Sequence, residues 1–333
     1  MKTLPFIRLI FLSIFGWIAA TEGLAQKDSL VKISSTLYEI TGMGGNVACK
    51  ITEEGVVLVD AGTTPENGRR IVELVGKLTS KPIRYVILTH YHYDHVGGLQ
   101  SLPKNVTIVA QNDLVYGLQK DLASRNQNVS VNIPKRIAEL TTEISALKSG
   151  DNKKRVVLDS ALKAEKAKLE RLKNSEIIFP TLLFSNEITL ILGSDSIIVT
   201  HSGPAHTNGD SWIYFKNDNA AHLGDMLFTK AYPYIDDGIG ASTKNWVEVL
   251  KMLAYKNFAV YIPGHNQQAT PNDLLRLSNY LEDLRKAVSS EIEQGKTHDE
   301  IIKNLKLDKY NDFGFGFLRE QNIDAVYKEL KNK

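Results

Sequence analysis

Apolar positions come in short alternating or unbroken runs near the start of the chain. "STLYEI" (35–40), "NVACKIT" (46–52) and "GVVLVD" (55–60) read as strands, divided by turns at Gly42-Met43-Gly44-Gly45 and Glu53-Glu54-Gly55. The period then changes. In "PENGRRIVELVGKLT" (65–79) the residues Ile71, Val72, Leu74, Val75 and Leu78 form one stripe at helical spacing, and "IRYVIL" (83–88) returns to a strand. Residues 134–176 differ: they are dense in Lys, Arg and Glu and contain no aromatic. They place Ile137, Leu140, Ile144 and Leu147, then Leu158, Leu162, Leu169 and Leu172, at helical spacing on either side of Gly150. This pattern predicts a helical hairpin inserted in a β-rich domain. Strands resume in "EITLIL", "SIIVTH", "SWIYFK", "AAHLGD" and "AVYIP", and the chain ends in helices whose starts are marked by "TPND" at Thr270 and "THDE" at Thr297.

The first residues form a separate segment. Lys2 and Arg8 precede an apolar run from Leu9 to Ala20 and a small-residue site at Gly23-Leu24-Ala25, the order of a secretory signal peptide. The run is shorter than the ~20 residues needed to span a bilayer, so cleavage after Ala25 is expected in preference to a membrane anchor. Cleavage removes Lys2, Arg8 and Glu22, a net +1, and lowers the formal charge from +2 to +1. A periplasmic or secreted protein without stable membrane insertion is the expectation. So weak a charge, with no basic track, argues against nucleic acid as a partner. Cys49 is the only cysteine, which excludes an internal disulfide, and in "GGNVACKI" it reads as a small core residue.

Chemistry concentrates in "LTHYHYDHVGGL" (88–99), where His90, His92, Asp94 and His95 fall within six positions of a chain with eight histidines. In an extended segment His90 and His92 point the same way, and a following turn brings Asp94 and His95 round from another direction. Two adjacent ions, one on each pair, are therefore open to this segment, since imidazole and carboxylate are ligands zinc takes without thiolate. Three later strand-to-loop boundaries add donors: His206 in "GPAHTNGD", Asp225 in "HLGDMLF" and His265 in "YIPGHNQ". Each alone is weak. Together they make six donors and one carboxylate able to bridge, enough for two ions with an open position at each. His201, His222 and His298 are read as structural, with His222 pointing to the opposite side of its strand.

In this order the motifs His-X-His-X-Asp-His, His, Gly-Asp and Pro-Gly-His resemble the metallo-β-lactamase superfamily over roughly residues 36–270. The resemblance implies an α/β fold, an αββα sandwich, here with the inserted helical hairpin and C-terminal helices. It also implies two Zn2+ per chain: one on His90, His92 and His206, the other on Asp94, His95 and His265, with Asp225 bridging; Asp60 either steadies the ligand loop or is a simple turn residue. A metal-activated hydroxide would be the nucleophile, oriented by Asp94, which also passes a proton. An aspartate at 225, where several true β-lactamases carry Cys or Ser, speaks against a dedicated antibiotic role. The expected organisation is a signal peptide over 1–25, a catalytic domain over 26–280 containing the 134–176 insertion, and a helical extension over 281–333. The expected function is a dinuclear zinc hydrolase cleaving an amide, ester or thioester bond, with β-lactam and lactone rings included, in a small-molecule substrate. An iron-dependent oxidoreductase of the same fold, similar to persulfide dioxygenases, is the alternative. Tyr232 and Tyr234 are candidate substrate contacts set against a loop-packing role, and the insertion is a decoration, a lid or a homodimer contact.

Overall fold

The computed structural model describes residues 28–331; the signal segment lies outside them. Two sheets face each other. The first has seven strands in sequence order: β1 (Ser29–Lys32), β2 (Leu37–Thr41), β3 (Val47–Ile51), β4 (Val56–Val59), β5 (Ile83–Ile87), β6 (Thr107–Gln111) and β7 (Leu182–Phe184). It is antiparallel through β4 and parallel from β4 to β7. The second has five, ordered β12 (Val260–His265), β11 (Ala220–Phe228), β10 (Trp212–Phe215), β9 (Asp195–Thr200) and β8 (Glu187–Leu192), with only β11 and β12 parallel.

Strand β4 shows why the apolar runs are unbroken. Its side chains alternate faces, so Val57 and Val59 enter the layer between the sheets while Val56 and Leu58 meet the outer helix α1 (Pro65–Leu78). The layer between the sheets also takes Ile87, Val109, Val199, Ile213 and Ile262. Outside the second sheet, α6 (Thr243–Lys256), α7 (Pro271–Glu293), α8 (His298–Asn304) and α9 (Arg319–Lys331) form one apolar cluster around Trp246, Leu250, Tyr280 and Val326. The four layers are the αββα sandwich. Cys49 is fully buried on the α1 side, and burial pushes its thiol up to about 12. No helix among the described residues is long and apolar enough to cross a membrane.

Two expected boundaries move. The hairpin begins earlier than 134, because α3 (Leu114–Gln127) continues through a single π-helical turn (Asn128–Asn132) into α4 (Ile133–Ser145), which packs on α5 (Asn152–Lys173). Pro134, lacking an N–H, signals a helix start, and the wider turn before it absorbs the break instead of ending the helix. The division expected at 280 falls inside α7, and α8 and α9 join the same apolar cluster as α6. The C-terminal helices are thus a layer of the sandwich.

Candidate metal centre

The site lies at one edge of the sandwich, where parallel strands end and open sheets leave room for ligands. β5 leads into Thr89 and His90, and the four-residue helix α2 (Tyr93–Val96) starts straight after His92 and carries Asp94 and His95. β11 supplies Asp225, β12 ends at His265, and the loop between β9 and β10 carries His206. Helix α1 presses this edge together. Its start is fixed by a capping box, Thr64 with Asn67, worth about 1 kcal/mol. A Cβ on its Gly68 would lie 2.2 Å from the Gly98 carbonyl oxygen just past α2, so helix and ligand segment touch backbone to backbone. Gly264 plays the same part beside Asp225, whose Oδ1 would be 1.9 Å from an added Cβ.

All seven sequence-predicted residues converge, in two groups. Donor atoms of His90, His92, His206 and Asp225 lie within 4.8 Å of one another, as do those of Asp94, His95 and His265. Asp225 faces both groups: Oδ2 is 3.7 Å from His90 Nε2, 3.6 Å from His206 Nε2 and 3.5 Å from His265 Nε2, and Oδ1 is 3.2 Å from His95 Nε2. Asp94 Oδ2 is 3.0 Å from His265 Nε2. The donor set suits divalent metal, and its unmet valences say so. His90 Nε2, His95 Nε2 and Asp225 Oδ1 are buried without a hydrogen-bond partner, although the last two are only 3.2 Å apart. Buried polar atoms are rarely left so.

The electrostatics divide along the same line except at His92, where burial would lower the imidazole but the hydrogen bond to Asp236 and that carboxylate's charge hold it above its usual value. Burial holds His90 well below its usual value, with the charge of His95 adding to it, and burial with the charge of His92 brings His206 down to about 4. His95 and His265 go the other way. Burial would lower them, but Asp225 and Asp94 outweigh it, holding His95 well above its usual value and His265 at about 10. Burial would raise Asp94, yet His95 and His265 hold it below the usual carboxylate range. Protons on the second group balance its carboxylates, and a cation would take their place.

Around the donors stands a set of residues that orient them. Asp60 has φ 64°, in the left-handed region, and accepts from Thr89 N (2.9 Å), Thr89 Oγ1 (2.8 Å) and His95 Nδ1 (2.7 Å). Of its two readings, this is the steadying one. Sequence reading missed three others. Asp210 accepts from Ala205 N (3.1 Å), Thr207 N (2.8 Å) and Thr207 Oγ1 (2.6 Å), closing the loop that holds His206. Asp236 accepts from His92 Nε2 (3.0 Å) and Tyr91 Oη (2.5 Å), and the Tyr234 carbonyl accepts from His206 Nδ1 (2.7 Å). Asp210 had a signal, a Thr-X-X-Asp turn next to a ligand. Asp236 had none, being 144 positions from His92.

His222 does not point away. It is buried, its Nε2 3.1 Å from the Asn46 carbonyl, and a bulge between His222 and Gly224 breaks the alternation that would have put it opposite Asp225. His201 donates to the Asp210 carbonyl (2.7 Å) and His298 sits 2.8 Å from Asp324, both structural as expected. Tyr232 packs away from the centre with Tyr280 and Phe313 and donates to the Tyr310 carbonyl, whereas the Tyr234 ring is 5.5 Å from that of His92.

The model of a family described as the metallo-beta-lactamase superfamily matches residues 47–265, and the chain belongs to that superfamily, whose members are mostly metal-dependent hydrolases. A linear primary-alkylsulfatase of Pseudomonas sp. (strain ATCC 19151) is 21% identical over 267 residues, 76% of this chain and 48% of the relative. The α subunit of a 2,4-dinitroanisole O-demethylase of Nocardioides sp. (strain JS1661) is 23% identical over 217 residues, 64% of this chain and 50% of the relative. The chain thus spans about half the length of these curated relatives. Among solved structures, the inverting sec-alkylsulfatase Pisa1 from Pseudomonas sp. matches with a TM-score of 0.64 at 16% identity, over 91% of this chain and 50% of its own. A metallo-β-lactamase from Pontibacter korlensis matches at 0.51 and 18%, over 76% of this chain and 99% of its own. Both likenesses speak to the fold.

Proposed function

We propose that the protein is an exported dinuclear zinc hydrolase acting on an amide, ester or thioester bond of a small molecule, with lactam and lactone rings included. The names of its relatives add sulfate esters to the bonds worth testing. The observation that carries this reading is the pair of adjoining donor groups that share Asp225. His90, His92 and His206 would hold one ion, Asp94, His95 and His265 the other, with Asp225 reaching both. Bound there, such a pair supplies Lewis acidity and a nucleophile at neutral pH.

The chain's own part follows from exposure. Most of the donor side chains are sealed, at 0–5% exposure, while those of Asp94, His92 and His265 reach 15%, 17% and 21%. Substrate therefore approaches across Asp94, between His92 and His265, past the half-buried Tyr234. Asp94, ionised and at the accessible rim, is placed to orient the attacking water and accept its proton. A panel of a β-lactam, a homoserine lactone, a hydroxyacyl thioester and an alkyl sulfate tests the reading. Turnover of one class, lost on chelation and restored by zinc, is expected; zinc-loaded protein inert toward all four would contradict it. Export is checked by N-terminal sequencing from the native host, where a chain starting at Gln26 outside the cytoplasm is expected.

A further inference from the structure

Four of the five histidines at the site present Nε2 to its centre. For three of them the reason is a partner on Nδ1. His95 Nδ1 donates to Asp60, and His206 Nδ1 to the Tyr234 carbonyl. His90 Nδ1 is 3.0 Å from Thr89 Oγ1, whose hydrogen is already given to Asp60, so the hydroxyl accepts and His90 Nε2 keeps its lone pair. His265 also turns Nε2 inward, toward Asp94 and Asp225. His92 is the exception: its Nδ1 is the inward atom, 2.9 Å from His206 Nε2, and its Nε2 faces out. Nothing local enforces that reversal. His92 caps a four-residue helix without a side-chain cap bond, and its ring is among the more exposed of the site.

We infer that Asp236 is the positioning residue that reverses His92, and that the C-terminal helix α9 holds Asp236 in place. A carboxylate only accepts, so a hydrogen bond at 3.0 Å to Nε2 puts the ring proton there and leaves the Nδ1 lone pair for metal. Asp236 is fixed from several sides. Tyr91 donates to the same oxygen, and the Asp236 N–H donates to the His206 carbonyl at 3.1 Å. The Asp236 carbonyl accepts from Ile239 N and Ala241 N, both at 3.2 Å. The run Tyr234-Ile235-Asp236 is thus a strap whose ends orient two histidines of one donor group. α9 clamps it at its middle, where Gln321 Nε2 donates to the Ile235 carbonyl at 2.6 Å, and just past its end, where Lys328 pairs with Asp237 at 2.8 Å. Gln321 lies beyond the 47–265 span shared with the family. In this chain the metal centre depends on a segment outside that span.

The inference rests on the reading that two metal ions bind here, and the test separates the two. Zinc affinities of the full chain are measured by chelator competition, and histidine tautomers of the zinc-loaded protein by 15N NMR. Wild type binding fewer than two ions would sink the dinuclear reading itself. With two ions bound, Asp236→Ala should weaken one of them about 10–100-fold and leave the other unchanged, while His92 loses its single tautomer. Gln321→Ala should weaken the same ion by less, and Asp237→Ala, the same charge change one residue on, should not reach the Asp236→Ala effect. Should Asp236→Ala fail to fold, Tyr91→Phe, which removes one restraint on the carboxylate, must weaken that ion. Wild-type affinity for both ions in Asp236→Ala, or in Tyr91→Phe where that variant stands in, overturns the assignment.

Discussion

Asp94 and Asp225 are both carboxylates among histidines, yet their surroundings give them different work. Asp225 is sealed, at 5% exposure, and faces both donor groups; Asp94 sits at the rim and faces one. Asp94→Asn keeps the shape and removes the charge, so turnover should fall by orders of magnitude while the melting temperature moves by a few degrees. Equal loss in both would show Asp94 to be structural. Asp225→Ala should lose metal from both groups. The histidines set a pH signature. With a folded pKa of about 10 against 6.5 unfolded, protonated His265 stabilises the metal-free fold fully below pH 6.5, and that contribution disappears as pH rises through about 10. Metal must displace that proton and the one on His95, whereas in the other group His90 and His206 are already neutral and only His92 is raised, because its bond to Asp236 and that carboxylate's charge outweigh burial. Between pH 8 and 6 the ion on Asp94, His95 and His265 should therefore be lost first. Parallel loss of both, followed by chelator competition, would refute this. At this scale the sequence carried the donors, because their types and spacing are short-range. It did not carry Asp236 or the Tyr234 carbonyl, which reach the histidines only through tertiary structure.

Among the elements, α1, the strands β2 to β5 and the capped starts of α7 and α8 were legible, since their periods and caps are local. The lead-in to the hairpin, α3 and the π-turn after it, was not. "NVSVNIP" mixes β-branched residues, Asn and Pro134, all poor in a helix interior, and the π-turn keeps the helix going where each residue argues for a stop. The bulge in β11 misdirected His222 for a related reason: one inserted residue shifts every later side chain to the other face. Beyond its base the hairpin is largely self-contained. Leu140 and Leu158 are buried where α4 meets α5, Val156 and Val157 are 65% and 67% exposed, and Arg125 of α3 ties the base by donating to the Leu172 carbonyl at 2.9 Å. Replacing residues 135–168 with a short Gly-Ser linker should leave metal content unchanged and the melting temperature within a few degrees, since closure entropy varies slowly with loop length. Loss of folding in circular dichroism would show that the tip supports the sandwich.

For the whole molecule, the helices expected as a C-terminal extension over 281–333 share the apolar cluster of α6 and α7. α9 closes the apolar layer over the second sheet and clamps the strap beside His92 and His206. Composition offered no hint of this, because a helix that packs on its own domain and one that stands apart can share the same amphipathic stripe. Whether the donors that the fold gathers hold two zinc ions, as proposed, is read off by elemental analysis of the protein purified without chelator. About two zinc ions per chain are expected, falling toward none when Asp225 is replaced by Ala. A single tightly bound iron in place of zinc would contradict the claim and favour the oxidoreductase alternative.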